Sequence, residues 1–396
     1  MLVPALVTAM PAYAADPARD AAWAERLGWG PSAAPVTGPA PGSDAWLRDQ
    51  LDGRIDPLPP AVQAQIDAMR ISRERVAALV VETDAMQRDL KAITDPDQKK
   101  AAREAYQKAM NGLADEARQR FVLRALYSPD QLRERMTWFW FNHFNVQAGK
   151  RDIRAMVGDY EETIRAHALG RFRDLLEATL RHPAMLRYLD NDQNARGKIN
   201  ENYAREIMEL HSMGVGSGYS QQDVQELARI LTGVGVDQKP DAPKLKPELQ
   251  PLYIRAGLFE FNPARHDFGT KHFLGHTIQG SGFHEVEQAL DLIAESPATA
   301  HHVSLKLATY FMGDDPPPAL VDRMAATFRK IHGDIAEVLK TMIRSREVSG
   351  SLGSGFKRPG RLYAVGGAAG LWRPDHRQSA AGDRLDPPDG RRAVRP

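Results

Sequence analysis

The chain has 396 residues, 42% of them hydrophobic, enough to bury a substantial core, and length alone admits two or three domains. Its 52 Lys and Arg against 51 Asp and Glu leave a formal charge of +1 with the two signs interspersed, which argues against a nucleic-acid or acidic-lipid surface. Cysteine is absent, which excludes disulfides, thiolate nucleophiles and iron-sulfur ligation and leaves any metal to His, Asp, Glu or Asn.

The opening MLVPALVTAMPAYAADP is apolar and uncharged to Ala15, and Ala12-Tyr13-Ala14 fits the small-x-small pattern of a signal-peptidase site. A signal peptide over 1–14 is expected, with a mature chain in the periplasm or secreted. No later run reaches the roughly 18 apolar residues of a membrane-spanning helix. Residues 15–60 read as an extended Pro-rich segment, since seven prolines between 31 and 60 forbid a long helix, with one short helix near Trp46 and Leu47.

From Pro60 to Tyr127 the chain is charged and helix-favouring, broken at Thr94-Asp95-Pro96-Asp97, so two amphipathic helices are expected. Met136 to Gly149, MTWFWFNHFNVQAG, contains no Asp, Glu, Lys or Arg, so its helix should be buried on nearly all sides. Asn142, His143 and Asn145 must then bond to neighbouring helices or line a pocket, because each unpaired group costs on the order of 1–3 kcal/mol.

Helix starts are marked by a cap followed by proline or acid at Ser128-Pro129-Asp130, His182-Pro183, Ser220 to Asp223, Ser296-Pro297, Asp315-Pro316 and Gly333-Asp334. Residues 237–254 are polar and proline-rich, a loop, and aromatic alternation with glycine turns at 258–278 suits a small two-stranded β-ribbon. The expected class is mainly α, a bundle-like single helical domain over 61–350. After Arg358 the chain is rich in Gly, Ala, Arg and Pro without apolar periodicity, as an out-of-frame reading of a GC-rich gene would be. A frameshifted, disordered tail over 358–396 is expected, against a genuine disordered tail.

Four stretches carry candidate chemistry. On a wheel of about 100° per residue, Glu201, Asn202, Arg205, Glu206, Glu209 and Ser212 share an arc of about 140°. Tyr203, Ala204, Ile207, Met208, Leu210 and His211 fill the rest. This is either a solvated face of i,i+4 ion pairs or the floor of a site. Just before it, Asp190, Asp192, Asn194 and Glu201 take positions 1, 3, 5 and 12 of a calcium-loop template. The match is partial, because Ala195 stands where the turn glycine belongs and Gly197 where an apolar residue does. A divalent cation such as calcium is therefore weighed against an ordinary interhelix loop. His266, Asp267 and Lys271 lie on a glycine-containing turn suited to acid-base work, anion binding or a solvent ion pair. No Walker loop, GxGxxG, HExxH or GxSxG occurs.

These stretches carry a resemblance. LRERMTWFWFNHFNV, HPAMLRYLDN, NENYAREIMELHSMGV, GYSQQDVQELARILTG, HDFGTKHFLG, SPATAHHVSLKLATYFMGDDPP and GDIAEVLKTMIRS, in this order, resemble the bacterial family known as domain of unknown function 1800. The resemblance runs from about Trp23 to Lys357. It implies a helical, exported protein of no established activity, often encoded beside an exported sulfatase- or phosphatase-like protein. The family's polar motif positions fall here on Asn142, His143, Asn145, Asp190, Asn191, Asn200, Glu201, Asn202, Arg205, Glu206, Glu209, His211, Thr232, His266, Asp267 and Lys271. The loop between the LDN and NEN motifs is variable in length among relatives, which counts against a fixed calcium loop.

Two functional expectations follow. In the first, the Phe139–Val146 helix, the Asn200–Met213 helix and the His266 turn converge on a polar pocket. His143, Glu206, His266 and Asp267 are its catalytic candidates, and Asn142, Asn145, Asn202, Arg205, Glu209, His211 and Lys271 bind the ligand. The protein is then hydrolase-like or ligand-binding and acts on an exported polysaccharide. In the second, it is a non-catalytic assembly or binding partner of the co-encoded sulfatase/phosphatase-like protein. The sequence does not decide whether the chain is an enzyme.

Overall fold

Helix starts follow the chemistry of the residues at their heads. The computed structural model describes residues 17–29, 39–52, 57–239 and 241–352, all within one compact unit. The expected leader at 1–14 and tail at 358–396 lie outside the described residues. The helices are α1 (Pro17–Leu27), α2 (Asp44–Leu51), α3 (Pro60–Asp67), α4 (Arg70–Arg73), α5 (Val76–Ala92) and α6 (Pro96–Tyr127). They continue with α7 (Gln131–His143), α8 (Val157–His167), α9 (Phe172–Arg181), α10 (Pro183–Tyr188), α11 (Asn202–Glu206) and α12 (Gln221–Ile230). The last are α13 (Phe283–Glu295), α14 (Pro297–Met312), α15 (Pro318–Lys330), α16 (Ile335–Ile343) and α17 (Arg346–Gly350).

Asp95 accepts from the Gln98 amide at 2.8 Å with Pro96 in the first turn, so the break before α6 is a cap. Ser220 and Asp223 form a reciprocal capping box on α12, and Ser296 caps α14. The Asp315-Pro316 start is displaced to Pro318. In a run of three prolines each residue before a proline is barred from helical ψ, so only the last can open the helix.

Two differences concern extent. The stretch from Pro60 to Tyr127 holds four helices rather than two, and α1 arises in a segment expected to be extended. Both N-terminal helices belong to the core: Arg26 of α1 donates to the Phe311 carbonyl (3.0 Å), and Gln50 of α2 accepts from the Leu132 amide (2.9 Å).

α7 is buried on nearly every side, as its lack of charge after Arg135 requires, but it ends at His143 and leaves Phe144 to Val146 beyond it. Trp140 donates Nε1–H to the Ala168 carbonyl (2.9 Å) and packs on Phe172, which meets Phe328 of α15. Behind this core, α6 and α8 share a buried charge network of Arg120 and Arg124 with Glu161 and Glu162.

The expected ribbon is a hairpin of Lys271–Phe273 and His276–Ile278, turned by Leu274 and Gly275 with positive φ (47° and 79°). A second, three-stranded antiparallel sheet joins Val234–Val236 and Ile254–Ala256 to a central Phe259–Phe261. Phe259–Phe261, the aromatic-alternating part of the expected 258–278 ribbon, belongs to this sheet instead, and its partners Val234–Val236 and Ile254–Ala256 are too short to show a period.

Candidate functional site

The NENYARE segment departs from the expected regular helix. α11 runs directly into a π-helical stretch, Ile207–Ser212, in which the Met213 amide donates to Met208 O at 3.0 Å. The wider winding shifts the helix face. Ser212, placed on the polar arc, is fully buried and donates to Ile207 O (2.5 Å), while Leu210, placed on the apolar arc, is 51% exposed. Such π segments recur at functional sites.

Its C-terminal carbonyls are met by two histidines. His143 of α7 donates Nε2–H to His211 O (2.9 Å), and His302 of α14 bonds the Leu210 carbonyl. His302 packs so closely on Gly214 (φ 91°) that a Cβ there would stand 2.8 Å from its Nδ1. Burial, then the nearby His211 ring, holds His143 well below the ordinary histidine range. Burial lowers His211 to about 3, and burial followed by Lys306 lowers His302 to about 4. All three imidazoles are neutral in the fold near pH 7. Asn142 and Asn145 are exposed, and Asn142 donates to Trp138 O (2.7 Å) within its own helix.

The calcium-loop expectation is not met by the arrangement found. Asp190, in a left-handed conformation (φ 57°), pairs with Lys150 (2.7 Å), and Asp192 pairs with Arg151 (2.7 Å). Asn194 is buried: it donates to the Ala228 carbonyl (2.9 Å) and accepts from the Asn200 amide (3.0 Å). Asn191 donates to Leu231 O and Val234 O, so the pair secures the end of α12. Glu201 accepts from Arg205 (3.1 Å) and Gln221 (2.7 Å). Among the described residues no group of three or more His, Asp or Glu side chains is placed to hold a metal.

The His266 turn is a third, buried constellation. His266 Nδ1 faces the Thr232 carbonyl (2.8 Å) and Nε2 faces Glu285 Oε1 (2.9 Å). Lys271 donates to Glu285 and to the Asp267 carbonyl, and the side chains of His266, Lys271 and Glu285 are fully buried. Burial acts to raise the Glu285 pKa, but the bonds from His266 and Lys271 outweigh it and hold the carboxyl below its ordinary range. Asp267 is held low in the same way by Arg229 at 2.9 Å. The expected convergence of three segments is therefore corrected. His143 meets the π segment, but His266 has its own partners, shares none with His143 or Glu206, and lies too deep to reach a ligand.

What is left reachable lies around Glu206. Arg205 bridges Glu201 and Glu209 (3.1 and 3.2 Å), yet Glu206 makes no hydrogen bond or ion pair among the described residues. It is half-buried, and burial, followed by the like charge of Glu209, raises its pKa. Beside it, the Tyr188 phenol is raised by burial and by Glu206 itself. Lys150 lies over the Tyr188 ring at 5.7 Å and donates to its carbonyl (2.6 Å), and Asn202 donates to Leu189 O (3.3 Å). The structure thus brings Tyr188 beside Glu206, and Lys150 against both Tyr188 and Asp190.

A family model described as Protein of unknown function (DUF1800) matches residues 22–377. The chain belongs to this DUF1800 family. The match begins within α1 and continues past Arg358. No curated protein and no solved structure matches the chain.

In this DUF1800 protein sequence reasoning missed Lys150, Tyr188, His302 and Glu285. Glu285 accepts from the Gly282 amide at the head of α13 (3.0 Å), a role that no cap residue at Gly282 announces, and His302 lies inside a motif already quoted.

Glu285→Ala leaves Lys271 buried without its carboxylate, and a loss of about 3–5 kcal/mol is expected in urea denaturation. The double change Lys271→Met, Glu285→Leu should recover most of it. The neutral histidines set a pH dependence. Unfolded, they bind a proton near 6.5; folded, His302 and His211 do so only near 4 and 3. Stability therefore rises with pH across that window and is lost as pH falls through it, by at most roughly 1.4 kcal/mol per pH unit for each histidine. His302→Gln should flatten the slope of urea midpoints between about pH 7 and about pH 4.5. An unchanged slope would exclude His302 as a contributor.

Proposed function

We propose that the chain binds a polar ligand at the patch around Glu206 and acts on it by proton transfer, with Glu206 as the proton-carrying group. The observation that supports this most directly is the contrast among neighbouring carboxylates. Asp190, Asp192, Glu201 and Glu209 each have a cationic partner, whereas Glu206 has none among the described residues and its pKa is raised. A carboxylic acid that keeps its proton closer to neutral pH suits a general acid. Tyr188 beside it supplies an O–H for a bound hydroxyl or oxyanion. The substrate class is an extracellular or periplasmic polysaccharide, and export through the expected leader belongs to the same proposal.

A 13C-NMR titration should place the Glu206 carboxyl above ordinary glutamates and show it falling in Glu209→Gln. Against polysaccharide fragments cleaved by the wild type, Glu206→Gln should lose about 10²–10⁴-fold in rate while its urea midpoint holds. An ordinary Glu206 titration would sink the assignment.

A second reading, a non-catalytic partner of the co-encoded exported sulfatase/phosphatase-like protein, is favoured by one observation. Leu210 (51% exposed), Val215 (76%) and Leu305 (37%) present apolar surface at the π segment and on α14, which packs against it. In that case Leu210→Glu with Val215→Lys abolishes co-purification with that protein. Retention by the double variant would count against this reading.

A further inference from the structure

Along the seam between α7 and α14, bases and cations face one another with almost no acid. Tyr310 of α14 donates to the Arg135 carbonyl of α7 (3.5 Å) and packs on Phe139 (5.0 Å). One turn back on α14, Lys306 therefore comes opposite His143, one turn on along α7. A further turn back, His302 packs on Gly214 behind the π segment.

His143 is held as a positioned acceptor. Its ring stacks on Phe139 (centroids 6.0 Å apart, 17° between planes), meets the edges of Trp140 and Phe144, and commits Nε2–H to His211 O. A neutral imidazole that donates through Nε2 carries its lone pair on Nδ1. His211 Nδ1 and His302 Nε2 are sealed in without partners, whereas the equally unbonded Nδ1 of the partly exposed His143 is open to solvent. A ring fixed by a carbonyl on one nitrogen and free on the other is oriented for an incoming donor.

Charge indicates what accompanies that donor. α14 contains no Asp or Glu, α7 only Glu134, held by Arg165 at 2.7 Å, and the π segment only Glu209, held by Arg205 at 3.2 Å. Of the cations, Arg133 turns to the Arg165 carbonyl and Arg135 lies over the Trp29 and Tyr310 rings (4.8 and 5.1 Å). Lys306 is exposed and makes no hydrogen bond or ion pair among the described residues. After burial and the His211 ring, Lys306 is among the groups that depress His143, and after burial it depresses His302, so its ammonium lies near both rings. An anion reaching it displaces no carboxylate.

We infer that His143 and Lys306 form a binding site for a hydroxy acid, whose carboxylate pairs with the Lys306 ammonium and whose neighbouring hydroxyl donates to His143 Nδ1. A carboxylate alone leaves Nδ1 without a donor, and a hydroxyl alone leaves Lys306 without a counter-charge. The site shares no bond with Glu206 and does not depend on the role proposed for that residue.

Two-bond 1H–15N spectra of the full chain near pH 7, with the His143 signals identified by their loss in His143→Gln, test it during titration with glycolate, D-glucuronate, acetate and D-glucose. The Nε2–H tautomer of His143 is expected, with a saturable shift of its Nδ1 signal by at least one of the two hydroxy acids, at least tenfold tighter than by acetate or glucose. Response to glycolate alone would make the occupant a free small acid, and response to glucuronate an acidic sugar unit. The affinity should fall at least tenfold in Lys306→Gln, which is expected to fold because Lys306 is exposed, and stay unchanged in Glu206→Gln. An Nδ1–H tautomer, no saturable shift by either hydroxy acid, or equal affinity in wild type and Lys306→Gln would overturn the assignment.

Discussion

Every α-helix ends in four carbonyls with no partner inside the helix, and a chain cut into this many short helices must satisfy them repeatedly, often far from water. That demand explains the polar motifs better than any single reaction does. Trp140 donates to Ala168 O just past α8, and Lys150 to Tyr188 O at the end of α10. Asn194 and Asn191 secure the last turn of α12, Arg26 bonds a carbonyl in the last turn of α14, and two histidines close the π segment. Because the donors come from other elements, each bond that finishes one helix also fixes its orientation to another. The core then packs around directions these bonds have set.

This division explains what could be read in advance. The helical class, the break before α6, the buried character of α7 and the caps at Ser220 and Ser296 were legible because they rest on local chemistry: proline geometry, short polar caps and runs without charge. The calcium loop misled for a related reason. Asn and Asp at loop spacing look alike whether they hold a cation or a backbone carbonyl, and Asn194 holds the carbonyl of Ala228. The fate of His266 was illegible because it depends on Glu285, which reaches it only through the tertiary fold. The sequence neighbours His266 and Asp267 go separate ways, one to Glu285 in the core and one to Arg229.

The polar groups also differ in what neutralises them. The His266–Glu285–Lys271 cluster is closed: every charge has an opposite and no surface. Around Glu206 the balance stays open, with a carboxyl that has no cation among the described residues. Tyr188 beside Glu206 and Arg187 paired with Asp152 tie α10 to both of its neighbours. Its head is held by His182, which accepts from the Ala184 amide at 3.1 Å, and its tail by Lys150.

The π winding at Ile207–Ser212 has a consequence for how this segment can change. A π turn accommodates one residue more than the α-helix it interrupts, so the backbone would tolerate losing a residue there more readily than a regular helix would. Side chains beyond the lost residue would keep their directions, whereas rewinding to α with no residue lost swings everything downstream by about 100°. Leu210 would rotate inward, Ser212 outward, and the carbonyls that His143 and His302 now meet would turn away from both. A substitution that favours α winding at full residue count therefore disturbs the facing of this segment more than the loss of one residue does.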